Sequence, residues 1–539
     1  MTREQKKIYR ADLFQHLDGI VTAPTAYALY KKGVLDLILA EKSISLSKLT
    51  QTFRANEGYL NIALHTLASQ GWLRHTIKAD NEIEIATTAL SELAFKYIPK
   101  YKDVVELLQI SGKYHPRKFE LEPFLFLESI FKKYSNNYGL ELSNDEKQRQ
   151  IQRQVLKHIE GIIVGPTVVA LGMSGMFHNY FMEASFQPEE FHKDGASFGR
   201  LLDFFVFLNW FEKKNQTYRF TEKGMFYARR ASAYGVTVSY IPMFRKVEEL
   251  IFGDPEIFWR LPKNAKEIHV DRTMNVWGSG GAHAAYFKVV DKIIIDLFNQ
   301  PIEQQPKGIV DMGCGNGAFL IHLYEVIEQR TIRGKLLEEY PLFLVGADFN
   351  QAALNVTRTN IIQANIWAKL IWGDIGRPDL LAKDLEENYG IQLKDLLNVR
   401  TFLDHNRIWS KPIDNRSPKE SSSTGAYAFR GQRISTTAVE NNLREHLTKW
   451  SPYVEKYGLL LIELHTIPPA LAASNLGKTA ATAYNATHGF SDQYIVEVDI
   501  FNKIAEEAGL FPDKNHFTKF PNSDIATVSI NLLKKDTNQ

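Results

Sequence analysis

The chain has 539 residues, of which 44% are hydrophobic and 23% charged, as is typical of folded globular proteins and not of disordered or collagen-like chains. Its 64 basic and 62 acidic residues give a net charge of +2, so the excess of positive charge that is typical of nucleic-acid-binding proteins is missing and no nucleic-acid partner is expected. The single cysteine, Cys314, excludes an internal disulfide framework and a cysteine-rich zinc site.

The N-terminal residues indicate no targeting segment. Residues 1–7 are mostly charged or polar, and no apolar stretch of the signal-peptide type follows them. No run approaches the roughly 18 consecutive apolar residues of a membrane-spanning helix. We therefore expect a cytoplasmic protein without a membrane partner.

The first half of the chain contains an imperfect repeat. Residues 16–29 align with residues 158–171 at an offset of 142, and seven of the fourteen aligned positions are identical. Each copy is predicted to begin a set of helices that ends in a short polar hairpin, as residues 210–220 show for the second copy. The pattern predicts two mainly helical, winged-helix-like units over residues 1–145 and 146–263.

A winged helix suggests DNA binding, but the predicted recognition helices do not favour it. Residues 57–65, for example, lack the arginine and lysine side chains that contact phosphates. We favour a role in dimerisation or in covering a substrate. The units are compatible with a homodimer and equally with two copies that enclose the site of one chain.

The second half alternates strands and helices, which predicts an α/β domain with a doubly wound, mainly parallel sheet over residues 264–539. One stretch, residues 410–433, is rich in serine and basic residues and is predicted to be a mobile insertion. The predicted strands and helices of this domain cover residues 308–311, 318–327, 342–348, 351–364, 368–372, 396–403, 458–463, 500–508, 518–520 and 525–532.

A glycine-rich loop follows the first of these strands. The residues Asp311-Met-Gly-Cys-Gly-Asn-Gly317 let the backbone pass close to a ligand. Asp348 ends the second strand, 37 residues later, where a carboxylate can bind both hydroxyls of a ribose, and Gly373-Asp374-Ile375 follows the third strand, next to the expected adenine position. Together these features resemble the S-adenosylmethionine (SAM) site of class I methyltransferases. The predicted SAM-binding residues are Gly280, Asp311, Gly313, Gly315, Gly317, Asp348, Phe349, Gly373, Asp374 and Ile375.

Candidate catalytic residues lie after the fourth and fifth strands, because ligands of such sheets bind at the carboxyl ends of the strands. Asp404 and His405 follow the fourth strand, and His465 follows the fifth. A later loop carries His488, so several histidines are expected beside the cofactor. Histidine together with oxygen ligands and no thiolate suits Fe or Mn.

Four segments carry a more specific resemblance: Trp277–His283, the Asp311 loop, Arg400–Arg407 and Thr487–Gln493. They resemble the mononuclear-iron methyltransferases of polyketide synthase loading modules, of the apratoxin and saxitoxin type. The resemblance implies that a non-haem metal lies beside SAM and that malonyl on an acyl carrier protein is methylated on carbon. It also implies that His488 and Gln493 are metal ligands.

The chain shows no fused carrier domain, so the expected acceptor is a group on a separate acyl carrier protein or a free small acid such as a 2-oxo acid. Three hypotheses follow. The first is a metal-assisted, SAM-dependent C-methyltransferase. The second is a metal-free O-methyltransferase with His405 as general base. The third is a SAM-responsive winged-helix regulator.

Overall fold

The structure, a computed structural model, describes residues 1–79, 81–110, 119–262, 265–413 and 423–535, without the side chains of residues 281–285. The chain folds into two compact units. The first, the helical unit, combines residues 1–283 with residues 426–433 and 468–492. The second, the sheet unit, contains residues 284–425, 434–467 and 493–539. Both predicted winged-helix-like units therefore fall within the helical unit.

The helical unit is built mainly from α-helices and two small antiparallel sheets. Its strands are β1 (Ser43–Ser45), β2 (Leu73–Ile77), β3 (Ile83–Thr87), β4 (Phe211–Lys214) and β5 (Thr217–Phe220). Its first helices are α1 (Arg3–Lys31), α2 (Val34–Glu41), α3 (Leu46–Phe53), α4 (Glu57–Ser69), α5 (Ser91–Tyr97), α6 (Lys102–Ile110) and α7 (Leu121–Ser135). The next are α8 (Glu146–Met173), α9 (Asn179–Glu183), α10 (Pro188–Phe191), α11 (Gly195–Phe207), α12 (Glu222–Ala228), α13 (Ser232–Ser239), α14 (Ile241–Phe244) and α15 (Val247–Phe252).

The two copies of the repeat form the long central helices α1 and α8, which cross at equivalent glycines. A Cβ atom on Gly19 would lie 2.3 Å from the Cα of His158, and one on Gly161 would lie 2.3 Å from the carbonyl oxygen of His16. Only glycine permits so close a backbone approach. The repeated His-x-x-Gly pattern therefore makes the crossing, and each glycine packs against the histidine of the other copy.

Each of these two histidines forms a hydrogen bond with a tyrosine of the other copy. His16 Nδ1 lies 2.8 Å from the hydroxyl of Tyr234, and His158 Nδ1 lies 2.7 Å from the hydroxyl of Tyr101. His16 belongs to the first copy and Tyr234 to the second, whereas His158 and Tyr101 show the reverse arrangement. The helical unit thus has an internal two-fold pattern of contacts.

The hairpins confirm the predicted winged-helix character. β2 and β3 pair antiparallel beside β1, and β4 pairs with β5 between residues 211 and 220, where the sequence predicts a strand–turn–strand. Thr221 caps α12 by accepting a hydrogen bond from the Gly224 amide, which explains why the helix starts there.

Helix α8 is long and apolar enough to cross a membrane by length and composition, but 89% of its most apolar 18-residue window is buried inside the fold. Its apolar side chains pack around α1 in the core of the helical unit. Burial within the fold accounts for the apolar composition of this helix.

The sheet unit contains the alternating strands and helices that the sequence predicts. Helix α16 (Arg272–Phe298) leads into it. Its strands are β6 (Gly308–Met312), β7 (Phe343–Asp348), β8 (Lys369–Trp372), β9 (Leu396–Thr401), β12 (Leu459–Leu464), β13 (Leu510–Pro512), β14 (Thr518–Phe520) and β15 (Val528–Lys535). Its helices are α17 (Ala318–Arg330), α18 (Gln351–Gln363), α19 (Pro378–Tyr389), α20 (Thr436–Trp450) and α23 (Val498–Glu507). The strands β10 (Tyr427–Phe429) and β11 (Gln432–Ile434) pair with each other outside this sheet.

The main sheet has the strand order β13-β15-β12-β9-β6-β7-β8, with β14 paired to β15. β12, β9, β6, β7 and β8 are mutually parallel, and β15 is antiparallel to β12. The order reverses at β6 and β9, and in doubly wound sheets ligands bind at the carboxyl ends of the strands at such a point. The predicted α/β, class I methyltransferase fold is confirmed.

Two local expectations differ from the structure. The stretch at residues 482–494, expected to be a loop, contains helix α22 (Ala481–Phe490), which follows α21 (Pro469–Ala473) in the helical unit. Part of the predicted insertion at 410–433 forms the β10–β11 hairpin, and its residues 414–422 lie outside the described residues.

Candidate functional site

The glycine-rich loop connects β6 to α17 at the carboxyl edge of the sheet. Gly313, Gly315 and Gly317 have φ values of +78°, +56° and +79°, which side-chain-bearing residues rarely adopt. The Gly-x-Gly-x-Gly spacing is therefore required by the backbone itself. Gly317 also precedes the first residue of α17, so the loop ends at a helix N-terminus, where backbone amides are free of intrahelical partners.

Asp311, near the end of β6, is a buried carboxylate that has no cationic partner in the part of the chain that the structure describes. Its side chain is 2% exposed, and Oδ2 has no hydrogen-bond partner among the described residues. Burial and the nearby Asp348 raise its pKa from 3.8 to about 7. A cationic ligand at this edge would stabilise the ionised form.

Asp348 is held at the end of β7 by two backbone amides. The amide of Gly315 donates to Oδ2 at 3.0 Å, and the amide of Asn350 donates to Oδ1 at 2.8 Å. The carboxylate is thereby fixed against the glycine-rich loop. Each oxygen has two lone pairs, so it retains acceptor capacity for a ribose hydroxyl.

Two aromatic residues follow the second and third strands. Phe349 is 57% exposed and Trp372 is 47% exposed, and their ring centroids lie 5.4 Å apart. The indole N–H of Trp372 donates to the carbonyl oxygen of Phe349 at 3.0 Å, which ties the ends of β7 and β8 together. Phe349 is one of the residues predicted from the sequence to bind SAM. Trp372 was not predicted, although its position at the end of the third strand could have indicated a place at the site.

The third-strand motif lies directly beside these residues. The amide of Gly373 donates to the carbonyl oxygen of Asp348 at 3.1 Å, so the two strand ends are joined. Asp374 Oδ1 accepts from the Gly376 amide at 2.7 Å, and Ile375 is buried. The structure therefore brings nine of the predicted SAM-binding residues, all except Gly280, to consecutive strand ends of one sheet edge.

These residues fit SAM on two observations. The orphaned oxygen of Asp311 is a buried acceptor beside the loop, and SAM carries positive charge on its sulfonium and ammonium groups. The loop backbone at Gly313–Gly317 provides the close approach that the cofactor needs. We find no comparable match for Gly280, which lies exposed within α16 in the helical unit.

His405 follows β9 and bonds to a carboxylate on the neighbouring strand. Its Nδ1 lies 2.5 Å from Oε1 of Glu463, near the end of β12, and both side chains are buried. The parallel pairing of Ile462 with Thr401 places the two strand ends side by side. The sequence selects the adjacent Asp404 as a candidate and does not select Glu463, because the pairing of two distant strands is not visible in local spacing.

Asp404 has different partners. It lies 2.5 Å from Arg400 Nη1 and 2.9 Å from His446 Nε2, and it is completely buried. Burial alone would raise its pKa, but Arg400 and His446 hold the pKa well below its ordinary value. This contact set holds the turn before His405 in place. The carboxylate of Asp404 is not the group that orients His405.

His465 is completely buried, and both ring nitrogens have internal partners. Nδ1 donates to the carbonyl oxygen of Val496 at 3.0 Å, and Nε2 lies 2.7 Å from the hydroxyl of Ser529. Burial lowers its pKa from 6.5 to about 4. These contacts favour a structural role for His465, and its catalytic role stays a prediction.

The two predicted metal ligands belong to different units. His488 lies on α22 of the helical unit, and its Nδ1 donates to the carbonyl oxygen of Tyr484 at 2.8 Å. Gln493 begins a segment of the sheet unit, and the amide of the next residue, Tyr494, donates to the carbonyl oxygen of His405 at 2.8 Å. Gln493 is thus connected, through one residue, to the backbone of the candidate base.

Three segments of the chain match known protein families. Residues 9–75 match the AprA N-terminal domain, residues 160–254 the AprA winged helix domain, and residues 267–531 the AprA MT2-like domain. The chain is a SAM-dependent methyltransferase. The last match contains every predicted catalytic, SAM-binding and metal-ligating residue.

Known structures resemble this methyltransferase only distantly. One is an O-methyltransferase family protein from Burkholderia thailandensis, at 10% identity and a TM-score of 0.40, covering 69% of this chain and 94% of that chain. Another is the mitomycin 7-O-methyltransferase MmcR, at 10% identity and 0.44, covering 72% and 98%. A third is the CurJ carbon methyltransferase, at 11% identity and 0.33, covering 82% and 99%. No curated protein sequence matches the chain.

The described residues of the methyltransferase do not provide a complete metal site. Within the described ranges, no group of three or more His, Cys, Asp or Glu side chains is arranged to hold an ion. A histidine whose Nδ1 donates to a carbonyl, as in His488, is an oriented ligand type, but one such residue does not make a site. We therefore derive no catalytic step through a metal.

Proposed function

We propose that the enzyme transfers the methyl group of SAM to an acidic acceptor that His405 deprotonates. The observation that carries the proposal is the 2.5 Å contact between His405 Nδ1 and Glu463, at the ends of two neighbouring strands of the cofactor sheet. A base at this edge lies on the side of the sheet where ligands of doubly wound folds bind.

Glu463 determines what His405 does chemically. A carboxylate at Nδ1 keeps the proton on that nitrogen, so the proton-accepting lone pair of the neutral ring is on Nε2. When Nε2 takes a proton from the acceptor, the carboxylate stabilises the imidazolium that forms. Glu463 is itself held, because its Oε2 accepts from the Asp404 amide at 2.9 Å and its Oε1 accepts from the Leu464 amide at 2.7 Å.

Bound SAM supplies an electrophilic methyl group on a sulfonium. In our proposal Asp311 lies opposite the positive charge of the cofactor, Asp348 accepts from the ribose, and Phe349 with Trp372 borders the adenine. These residues bind and orient the cofactor. Most of the catalysis in methyl transfer comes from such positioning, with removal of the acceptor proton as the additional chemical task.

For the acceptor we propose an enolisable acid of the malonyl type, on a separate acyl carrier protein, or a free 2-oxo acid. The match of residues 267–531 to the AprA MT2-like domain supports this choice, together with the resemblance of the Thr487–Gln493 segment to polyketide methyltransferases. Both acceptors lose a proton from carbon before methylation, which is a task for a positioned base. Such an activity belongs to secondary-metabolite biosynthesis.

The test uses SAM with a labelled methyl group and a panel of malonyl thioesters, 2-oxo acids and hydroxy acids. We expect His405→Ala to lower kcat by about 10²- to 10⁴-fold, the usual contribution of a general base. Glu463→Gln should lower kcat by about tenfold or more with unchanged SAM affinity. His488→Ala is the matched comparison and should have a mild effect. Full activity of His405→Ala would refute the proposal.

A second candidate is the metal-assisted C-methylation that the resemblance implies, with Fe or Mn held by His488 and Gln493. The oriented ring of His488 favours it. Its test is the metal content of protein purified without added metal or a His tag. One equivalent of Fe or Mn that is lost in His488→Ala would support it, and activity that is unchanged by chelator would reject it. The winged-helix regulator is tested by duplex binding and its salt dependence.

A further inference from the structure

A tryptophan at the end of α20 contacts the loop that follows β8. Trp450 is completely buried, and its indole N–H donates to the carbonyl oxygen of Ile375 at 2.7 Å. Ile375 ends the adenine-side segment, Gly373–Ile375, which is predicted to lie next to the adenine of SAM. Because the bond is made to a backbone carbonyl, the position of Trp450 helps to determine where this segment lies.

A buried arginine lies over the indole ring of Trp450. The guanidinium carbon of Arg400 is 3.9 Å from the ring centroid, and the side chain is only 1% exposed. Arg400 belongs to β9 and pairs with Met312 of β6 and with Leu461 of β12, so it lies in the middle of the sheet. Its Nε and Nη2 have no hydrogen-bond partner among the described residues. The face of the indole therefore holds this part of the guanidinium by a cation–π contact.

The remaining nitrogen of this guanidinium contacts the turn that carries the candidate base. Nη1 of Arg400 donates to Asp404 at 2.5 Å, and the Asp404 amide donates to Oε2 of Glu463 at 2.9 Å. The other oxygen of Glu463 contacts Nδ1 of His405. Direct contacts between buried residues of the sheet unit thus connect Ile375 with His405.

We propose that Arg400 and Trp450 are positioning residues that hold the adenine-side segment and the turn of His405 in one geometry. Both side chains are buried, so they act on a ligand only through the residues that they hold. SAM binding and removal of the acceptor proton then depend on the same pair of residues. The second effect rests on the proposed role of His405, whereas the effect on SAM binding does not.

The test is a double-mutant cycle on SAM affinity, measured by calorimetric titration of the full chain with SAM. Trp450→Phe removes the donor to Ile375, and Arg400→Met removes the guanidinium but keeps an apolar side chain. We expect each variant to bind SAM about threefold to tenfold more weakly, which corresponds to the loss of about one hydrogen bond. Because the two residues act as a unit, the double variant should bind SAM about as well as the more strongly affected single variant.

Activity with the best acceptor of the panel above gives a second readout. Arg400→Met should lower kcat by about tenfold or more at saturating SAM, because a small displacement of the base slows the reaction. The KM for the acceptor should stay within about twofold, since Arg400 does not contact the acceptor. Arg400→Lys keeps a positive charge beside Asp404 and should recover part of the lost kcat.

Trp72→Phe is the matched control. Trp72 is also completely buried, and its indole N–H donates to Gln154 at 3.1 Å in the helical unit. We expect this variant to lose stability in urea unfolding, as Trp450→Phe does, but to keep wild-type SAM affinity and kcat. The comparison separates a positioning effect from a general loss of stability.

Two results would overturn the proposal. One is a SAM affinity of Trp450→Phe equal to that of Trp72→Phe, a comparison that stands even if Arg400→Met fails to fold. The other is a double variant in which the two losses of affinity multiply, as for independent residues. Full activity of His405→Ala would refute the base catalysis and not this proposal, because the SAM titration requires no turnover.

Discussion

The two copies of the repeat have a carboxylate at equivalent positions, Asp18 and Glu160, but its surroundings differ. A lysine donates to Glu160, whereas an amide side chain donates to Asp18. Glu160 accepts from Tyr134 at 2.5 Å and from Lys157 at 2.8 Å, and its Oε1 lies 3.3 Å from His16 Nε2. Burial would raise its pKa, but His16 and Lys157 lower the pKa far below its ordinary value. Glu160 of the second copy is therefore held by a polar network that includes His16 and Tyr134 from the first.

The partners of Asp18 among the described residues are neutral groups. Its Oδ2 accepts from Gln70 Nε2 at 3.2 Å, and Gln70 also donates to Thr482 of α22. Burial raises the pKa of Asp18 from 3.8 to about 7. The copies are thus alike in backbone packing, at Gly19 and Gly161, and different in electrostatics. The difference arises where α22, a helix from the second half of the chain, packs against α1.

The comparison extends to Asp311 in the sheet unit. Asp311 and Asp18 are both buried with no cationic partner in the described ranges, and both have a pKa of about 7. A buried carboxylate is neutralised by a cationic side chain, as in Glu160, by a proton, or by a ligand. We propose the third case for Asp311, because the glycine backbone beside it permits the close approach of a ligand.

The largest expected effect is the loss of the network around Glu160. Glu160→Gln removes the buried carboxylate that faces His16 and Lys157. Lys157, which is 26% exposed, keeps Asp12 at 3.1 Å, but His16 is completely buried, so we expect a loss of about 3–5 kcal/mol in the free energy of unfolding. Urea unfolding at neutral pH measures it. Glu222→Gln, at an exposed position, is the control. An effect no larger than that of the control would mean that the network does not stabilise the fold.

Removing the charge of Asp18, the equivalent residue of the first copy, is expected to stabilise the protein and not to destabilise it. Because its folded pKa is raised, Asp18 contributes stability that is present below about pH 4 and is lost as pH rises through about 7. Asp18→Asn should therefore stabilise the protein above pH 7, by up to about 4 kcal/mol, and have little effect near pH 4. Unfolding measured across this pH range tests the sign. Destabilisation at pH 8 would contradict the assignment.

The two crossing glycines should behave alike. Gly19→Ala and Gly161→Ala each insert a Cβ 2.3 Å from the backbone of the other helix, so each should lose about 1–3 kcal/mol or more. Gly280→Ala is the matched control, because a Cβ there meets no described atom within 4 Å and alanine favours a helix. Thermal unfolding compares the three. A clear difference between Gly19→Ala and Gly161→Ala would show that the crossing is not symmetric.

Much of the sheet unit could be predicted because its signals are local. Alternating apolar strands and the Asp311-to-Gly317 spacing indicate the fold and the cofactor loop without knowledge of long-range contacts. The repeat was also visible, as identical His, Gly and Pro positions. The hydrogen bonds from Tyr101 and Tyr234 to the histidines of the opposite copies could not be predicted, because they depend on how the two long helices cross.

The other features that the sequence did not predict also depend on contacts between residues far apart in the chain. Helix α22 was expected to be a loop, since its small and polar residues show little apolar periodicity, but packing against α1 and α4 stabilises it. The Glu463 partner of His405 depends on the parallel pairing of two strands about 60 residues apart. Local spacing instead suggested the adjacent Asp404.

The most direct test of the cofactor site is the affinity for SAM as a function of pH, in the wild-type protein and in Asp311→Asn. Because the ligand-free pKa of Asp311 is about 7, binding of a cation requires its ionisation, and wild-type affinity should rise by up to about tenfold per unit between about pH 5.5 and about pH 7. Asp311→Asn should bind SAM weakly, with little dependence on pH. Equal affinities and equally flat profiles for the two proteins would contradict the assignment of this sheet edge as the SAM site.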